Sequence, residues 1–209
     1  PPTSKRGTIG LESADKERSM LIAPSPLSKL PWYLRLFFWK QRRKHGQILQ
    51  PALIWSRQPK LLLAMSIFHQ ILNRKKSPLD PQLRALILVH VSQLNQCAFC
   101  SDFNAATLLN KNGSTEKIHA LADRENSNLF SKAEETALTY AENITLNHVS
   151  RYSQHVEQLK QYFSVEAIFE LTALIAYENL SSKFNSALDI PDQQFCKTSS
   201  LSDKKTGDN

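Results

Sequence analysis

Apolar side chains recur at helical spacing almost throughout residues 29–191. Leu83, Leu86, Ile87, Val91 and Leu94 are the clearest run, at the i, i+3, i+4 intervals of one helix face. Punctuation fits the same reading. Pro59 suits the first turn of a helix over Leu61 to Leu72, where a missing N–H costs nothing. Asp80 and Pro81 form an N-cap and N1 pair. Gly113 is expected at C′, with Ser114 capping the next helix. Ser131 with Glu134 three positions on reads as a capping box before Ala137, Leu138 and Ala141. Ser164 precedes a long apolar helix from Val165 to about Leu188, stopped by Pro191. Strand-like alternation between hairpin turns is not evident, so the fold class is all-α. Residues 1–28 read as a polar, flexible arm, 29–76 as a basic helical N-terminal lobe, 77–191 as the helical core and 192–209 as a disordered tail.

Composition narrows the classes of function. Hydrophobic residues are 41% and charged residues 22% of the 209, ordinary globular values. Only 5 glycines are present, and neither GxGxxG nor GxxxxGK[ST] occurs, which removes the common phosphate-cradling loops. No apolar run reaches the roughly 18 residues of a membrane span. No secretion signal is recognised at the start, so a cytoplasmic, reducing location is expected.

Charge is unevenly placed. Residues 1–76 hold 15 Lys+Arg against 3 Asp+Glu, while residues 77–209 hold 11 against 16. In WYLRLFFWKQRRKH (residues 32–45) aromatics adjoin a cluster of cations. The plainer reading is a helix with its aromatics on the core and its cations in water. The alternative is contact with an anionic membrane or nucleic acid, although recognised nucleic-acid motifs are missing.

Three cysteines are present, and two form Cys97-Ala98-Phe99-Cys100. Two intervening residues on a helical turn bring the sulfurs within bridging reach. A thiol at a helix N-terminus also meets unpaired N–H groups that favour thiolate. Redox chemistry, half of a zinc site and a pair of inert buried thiols are all compatible with the spacing. A zinc site lacks standard partners, because His69, His90, His119 and Cys196 do not stand at zinc-ligand spacing. Cys196 lies beyond the last predicted helix, as a third resolving thiol or an isolated reduced one.

The residues around the CxxC carry a resemblance. Ser92, Asn95, Cys97 and Cys100 match the core of the AhpD-like, carboxymuconolactone decarboxylase family. Asn179, Lys183 and Asn185 stand where that family has an Asn-x-x-x-Arg-x-Asn pattern. The resemblance covers about residues 45–191 and is strongest from 83 onward. It implies an AhpD-like helical bundle and a thiol peroxidase or disulfide reductase. Cys100 would attack an organic hydroperoxide or a partner disulfide, and Cys97 would resolve it as a Cys97–Cys100 disulfide. A thioredoxin- or lipoyl-like electron donor and a homo-oligomer, trimer or hexamer, are implied as partners. No metal, flavin or haem cofactor is implied.

The chain departs from the family at the proton relay. Ala85 stands at the usual Glu position, Asn104 at the usual His position and His90 at the usual Arg position. Ala cannot move a proton, and Asn only donates or accepts hydrogen bonds. His90, two helical turns before Cys97, is the candidate substitute base if the helix continues to the cysteine. The plainer alternative has His90 filling the space of the arginine. Glu178, beside Asn179 on the last helix, is a weaker candidate for the lost carboxylate. These departures also motivate a second reading. In it the chain is a catalytically degenerate binding or scaffold protein that docks through its basic lobe.

Overall fold

A computed structural model of the chain describes residues 20–196. Residues 1–19 and 197–209, which hold most of the expected arm and tail, lie outside the described residues. The described residues are helical and contain no strand. The helices are α1 (Trp32–His45), α2 (Gln50–Trp55), α3 (Pro59–Leu72), α4 (Pro81–Leu94), α5 (Ala98–Leu109), α6 (Thr115–Ala120), α7 (Lys132–Thr145), α8 (Tyr152–Leu159) and α9 (Val165–Ala187). None of them is long and apolar enough to cross a membrane.

The centre of the bundle is α4. Ten consecutive residues, Leu83–Ser92, are buried, so every face of that stretch is covered. A helix with apolar residues on every side belongs inside, and the polar members of this stretch, Arg84, His90 and Ser92, are buried with it. Here α5, α7 and α9 enclose it. The core combines Leu86, Ile87, Val89 and Val91 of α4 with Leu138 of α7 and Leu171, Leu174 and Ile175 of α9. Complete burial of each such side chain stabilises by about 1.5–3 kcal/mol.

The expected starts are in place. The Asp80 carboxylate accepts from Gln82 N and Leu83 N at 2.8 and 3.0 Å. Ser131 and Glu134 close a full capping box. The hydroxyls of Ser114 and Ser164 accept from Lys117 N and Ala167 N, respectively.

The helix ends differ from expectation. Gly113 is not the left-handed C′ residue. That position is Asn112, with φ 59°, and Gly113 follows as C″. Gly113 N donates to Leu108 O, and Asn112 N donates to Leu109 O, the paired bonds of a Schellman motif. Glycine is needed at 113 for close approach. A Cβ there would lie 2.7 Å from Leu108 O and 2.4 Å from a Leu108 methyl carbon. Gly113→Ala is therefore expected to destabilise the fold by about 1–3 kcal/mol, read from a urea melt. An unchanged midpoint would show that the α5–α6 turn yields freely.

The same motif recurs with other residues in the left-handed region. Gln96, Asn147 and Asp189 have φ of 52°, 60° and 49°. After α4, Cys97 N donates to Ser92 O and Gln96 N to Gln93 O. This ending turns the chain sharply and delivers Cys97 to the N-cap of α5.

The N-terminal lobe has a smaller core of Leu30, Leu34, Phe38, Ala52 and Leu62. Only part of the aromatic cluster packs inward. Phe38 is buried, whereas Trp32, Tyr33 and Trp39 are exposed, and Arg43 lies over the Trp39 ring. At the other end, residues 192–196 fall within the segment expected as a tail. They are held by Asp102, Gln47, Ile48 and Gln50.

Candidate active site

Cys97 and Cys100 are joined as a disulfide, with Cα atoms 5.2 Å apart. Cys97 is the N-cap of α5, and its Sγ accepts the Cys100 N–H at 3.1 Å. Cys100 sits in the first turn. Both sulfurs thus stand at the end of α5 where backbone N–H groups lack intrahelical partners and the dipole is positive.

Both cysteines are buried, Cys97 being 1% and Cys100 4% exposed. Ile54, Phe99 and Ile190 complete their cluster, with Met20, Leu49, Phe103, Phe184, Leu188 and Phe195 around it. Trp55 stacks on Phe184 at 4.0 Å, which fastens α2 to α9 beside the dithiol. The segment Ile190–Cys196 crosses the start of α5 as a strap. The Asp102 carboxylate, two residues after Cys100, accepts the N–H groups of Gln193, Phe195 and Cys196. Gln193 ties the strap to the other side, through Gln47, Ile48 and Gln50. Burial, then the nearby Asp102, pushes the Cys196 thiol above its ordinary value.

A polar cluster lies deeper between α4, α5 and α9. Oε1 of the buried Glu178 accepts from Ser92 Oγ at 2.8 Å and from Asn104 Nδ2 at 3.2 Å. Asn104 also donates to Ser92 Oγ at 2.9 Å. Burial pushes the Glu178 carboxyl up to about 8, against the two hydrogen bonds that favour its charge. Glu178 therefore holds a proton at neutral pH. One turn along α9, Ser182 accepts from Asn95, which also donates to Asn179. One turn further, Asn185 Nδ2 donates to Cys100 Sγ at 3.1 Å. Residues 178, 182 and 185 follow the i, i+4, i+7 rule of a single helix face.

His90 is placed elsewhere. Its ring lies 4.0 Å from Glu142 of α7 and feels the Arg124 guanidinium. Burial first, and then Arg124, push it down to about 4 against Glu142, so it is neutral at pH 7. Ser92 faces the Glu178 cluster, and two residues of helix rotate the side chain by about 200°. Helical spacing to Cys97 also fails, because α4 ends at Leu94 and Gln96 turns left-handed. Ala85 and Asn104 are both buried, and the carboxylate bonded to Asn104 comes from α9, not α4. In the sequence Ser92 and Asn185 stand out only as matches to the family pattern, and the partners that the fold gives them, Glu178 and Cys100, were not legible there.

Among the described residues, no three His, Cys, Asp or Glu side chains converge as a metal ion requires.

An all-helical bundle with a bridged CxxC at the N-terminus of α5 places the chain in the AhpD-like class. The chain belongs to the carboxymuconolactone decarboxylase family, whose profile matches residues 59–143. It is 41% identical over 172 residues to the uncharacterized protein YnjA of Escherichia coli (strain K12), covering 82% of this chain and 94% of that one. Its fold is similar to that of an uncharacterized peroxidase-related protein from Ralstonia eutropha JMP134, described as an alkylhydroperoxidase AhpD core. That match has a TM-score of 0.77 at 20% identity, over 85% of this chain and 94% of the other. The debrominase Bmp8, solved in complex with 2,3,4-tribromopyrrole, matches at TM-score 0.72 and 20% identity, over 88% and 97%. Likeness at this identity is likeness of fold, and a fold does not fix the reaction.

Proposed function

We propose that this protein is a thiol-dependent oxidoreductase that reduces an organic hydroperoxide or a partner disulfide through Cys97 and Cys100. The observation that carries this reading is the bridged pair at the α5 N-terminus with an amide donor on Cys100.

In the reduced protein, the Cys100 thiolate attacks the terminal oxygen of the hydroperoxide. The O–O bond breaks, Cys100 becomes a sulfenic acid, and the alkoxide leaves as alcohol after taking a proton. Cys97 then displaces water from the sulfenic acid and forms the disulfide. An external dithiol of the thioredoxin or lipoyl kind returns two electrons and two protons. In this reading Glu178 is the proton reserve of the site, because it is protonated at neutral pH and bonded to Asn104, one turn from Cys100. His90 is not given that role, since its neighbours are Arg124 and Glu142.

The test is a titration of reduced protein with cumene hydroperoxide, followed by mass mapping. One equivalent should remove two thiols and join Cys97 to Cys100, and Cys100→Ser should consume none by this route. Thiols that persist, with the hydroperoxide unconsumed, would overturn the peroxidase reading. If a small-molecule disulfide also failed to oxidise the pair, the reading as a binding or scaffold protein would replace it.

A further inference from the structure

Among the amides of the site, Asn185 stands apart. Asn95 donates to Asn179 and Ser182, Asn179 to Thr145 and Ile175, and Asn104 to Ser92 and Glu178. Those amides tie helices together through oxygen acceptors. Asn185 is 1% exposed, yet its amide nitrogen is spent on a sulfur, a weak acceptor. Its Oδ1 is buried without a hydrogen-bond partner among the described residues. An amide kept for packing would have both halves paired, because an unmet buried acceptor is destabilising. Flipping the amide does not help, since it would set an acceptor against the sulfur. The arrangement becomes favourable when the sulfur becomes a strong acceptor, which is the thiolate.

The two sulfurs are otherwise unevenly served. Cys97 Sγ already receives the Cys100 backbone N–H, so α5 by itself favours a thiolate at Cys97. Among the described residues, the side-chain donor at Cys100 Sγ is Asn185 alone. Other titratable groups around the pair are Glu178 on α9, Asp102 on α5, Cys196 on the strap and His45, whose ring packs on Phe103. Asp102 is a carboxylate engaged with the strap, and burial, then Lys44, lower the His45 pKa, so the imidazole supplies no positive charge at neutral pH.

We infer that Asn185 is a catalytic residue of the dithiol: its amide N–H stabilises the Cys100 thiolate and thereby selects Cys100, not Cys97, as the attacking sulfur. This rests on the oxidoreductase reading for its use but not for its measurement. The step is the loss of a proton from Cys100 to solvent, with the negative charge taken up by the amide N–H and the helix terminus. A hydrogen bond to a charged group is worth enough to shift a pKa by about one to two units, or ten- to hundredfold in thiolate at a given pH.

The test uses the reduced Cys97→Ser chain, so that thiolate absorbance near 240 nm is dominated by changes at Cys100. Comparison with a Cys97→Ser/Cys100→Ser chain subtracts Cys196 and the tyrosines. The Cys100 pKa is expected to rise by about one to two units in Asn185→Leu, which keeps the shape and removes the donor. It should rise further in Asn185→Asp, which adds an acceptor. A packing defect alone would not give that order. With both thiols present, a small alkylating agent should label Cys100 first in the natural chain and shift toward Cys97 in Asn185→Leu. A Cys100 pKa unchanged in folded Asn185→Leu or Asn185→Asp, checked by circular dichroism, would overturn the inference. A raised pKa in a protein whose natural form consumes no hydroperoxide would leave Asn185 in place and remove the peroxidase reading instead.

Discussion

Glu178→Gln is expected to stabilise the protein most above pH 8 and not at all below pH 4.5. Burial raises the Glu178 carboxyl from about 4.5 to about 8. Below 4.5 the folded and unfolded chains both carry the proton, so ionisation takes nothing from stability. Between 4.5 and 8 the unfolded chain gives up the proton while the folded chain keeps it. The folded state then binds more protons, and stability falls with rising pH. The slope is about 1.4 kcal/mol per pH unit, and the full interval amounts to about 5 kcal/mol as a ceiling. Glutamine mimics the protonated acid. Both recorded hydrogen bonds fall on Oε1, which Gln retains as an acceptor. Urea melts of both forms at pH 5 and pH 8.5 give the comparison. A difference that is the same at both pH values would show that the carboxyl is not held protonated in the fold.

Local chemistry explains which parts of the structure were legible in the sequence. Asp80 with Pro81, Ser131 with Glu134, and Ser164 mark helix starts because a short polar side chain must reach an orphan N–H nearby. That need is visible within four residues. Helix ends were less legible. Gln96, Asn112, Asn147 and Asp189 adopt the left-handed conformation although none is glycine. The Schellman bonds and the packing beyond each end override the weak local preference. The placement of His90 follows from the same cause. Its spacing to Cys97 had meaning only if α4 ran on, and the left-handed Gln96 cancels it. The CxxC and its place at a helix start were readable. The meeting of Glu178 with Asn104, and of Asn185 with Cys100, was not, because it depends on how α9 lies across α5. Residues 192–196 looked like tail because their composition is polar. Their backbone N–H groups are instead gathered by the carboxylate of Asp102, 91 to 94 residues earlier.

That carboxylate also leads to a large expected effect on reactivity. Asp102→Ala should speed reduction of the Cys97–Cys100 disulfide by dithiothreitol by about a hundredfold. With Cys97 and Cys100 at 1% and 4% exposure, a dithiol reaches their sulfurs only when the covering cluster opens. The strap is part of that cover, since Ile190 packs in the cysteine cluster and Phe195 meets the rings of Phe99 and Phe103 edge-on. Three backbone N–H groups converge on Asp102, at 3.1, 2.9 and 2.8 Å. Bonds to a charged group are worth about 1.5–3 kcal/mol each. After discounting for the half-buried position of Asp102, a net loss of about 3 kcal/mol is reasonable, and it corresponds to a hundredfold rise in the open population. Gln193→Ala removes its side-chain bonds to Gln47, Ile48 and Gln50, leaving only the Gln193 carbonyl bonded to Gln47, and should accelerate reduction without touching α5. The double variant should approach the rate of a small unprotected disulfide. If neither single change alters the rate while the melting temperature falls, the strap is only structural, and the reductant reaches the sulfurs from the α2 side, past Ile54 and Leu49.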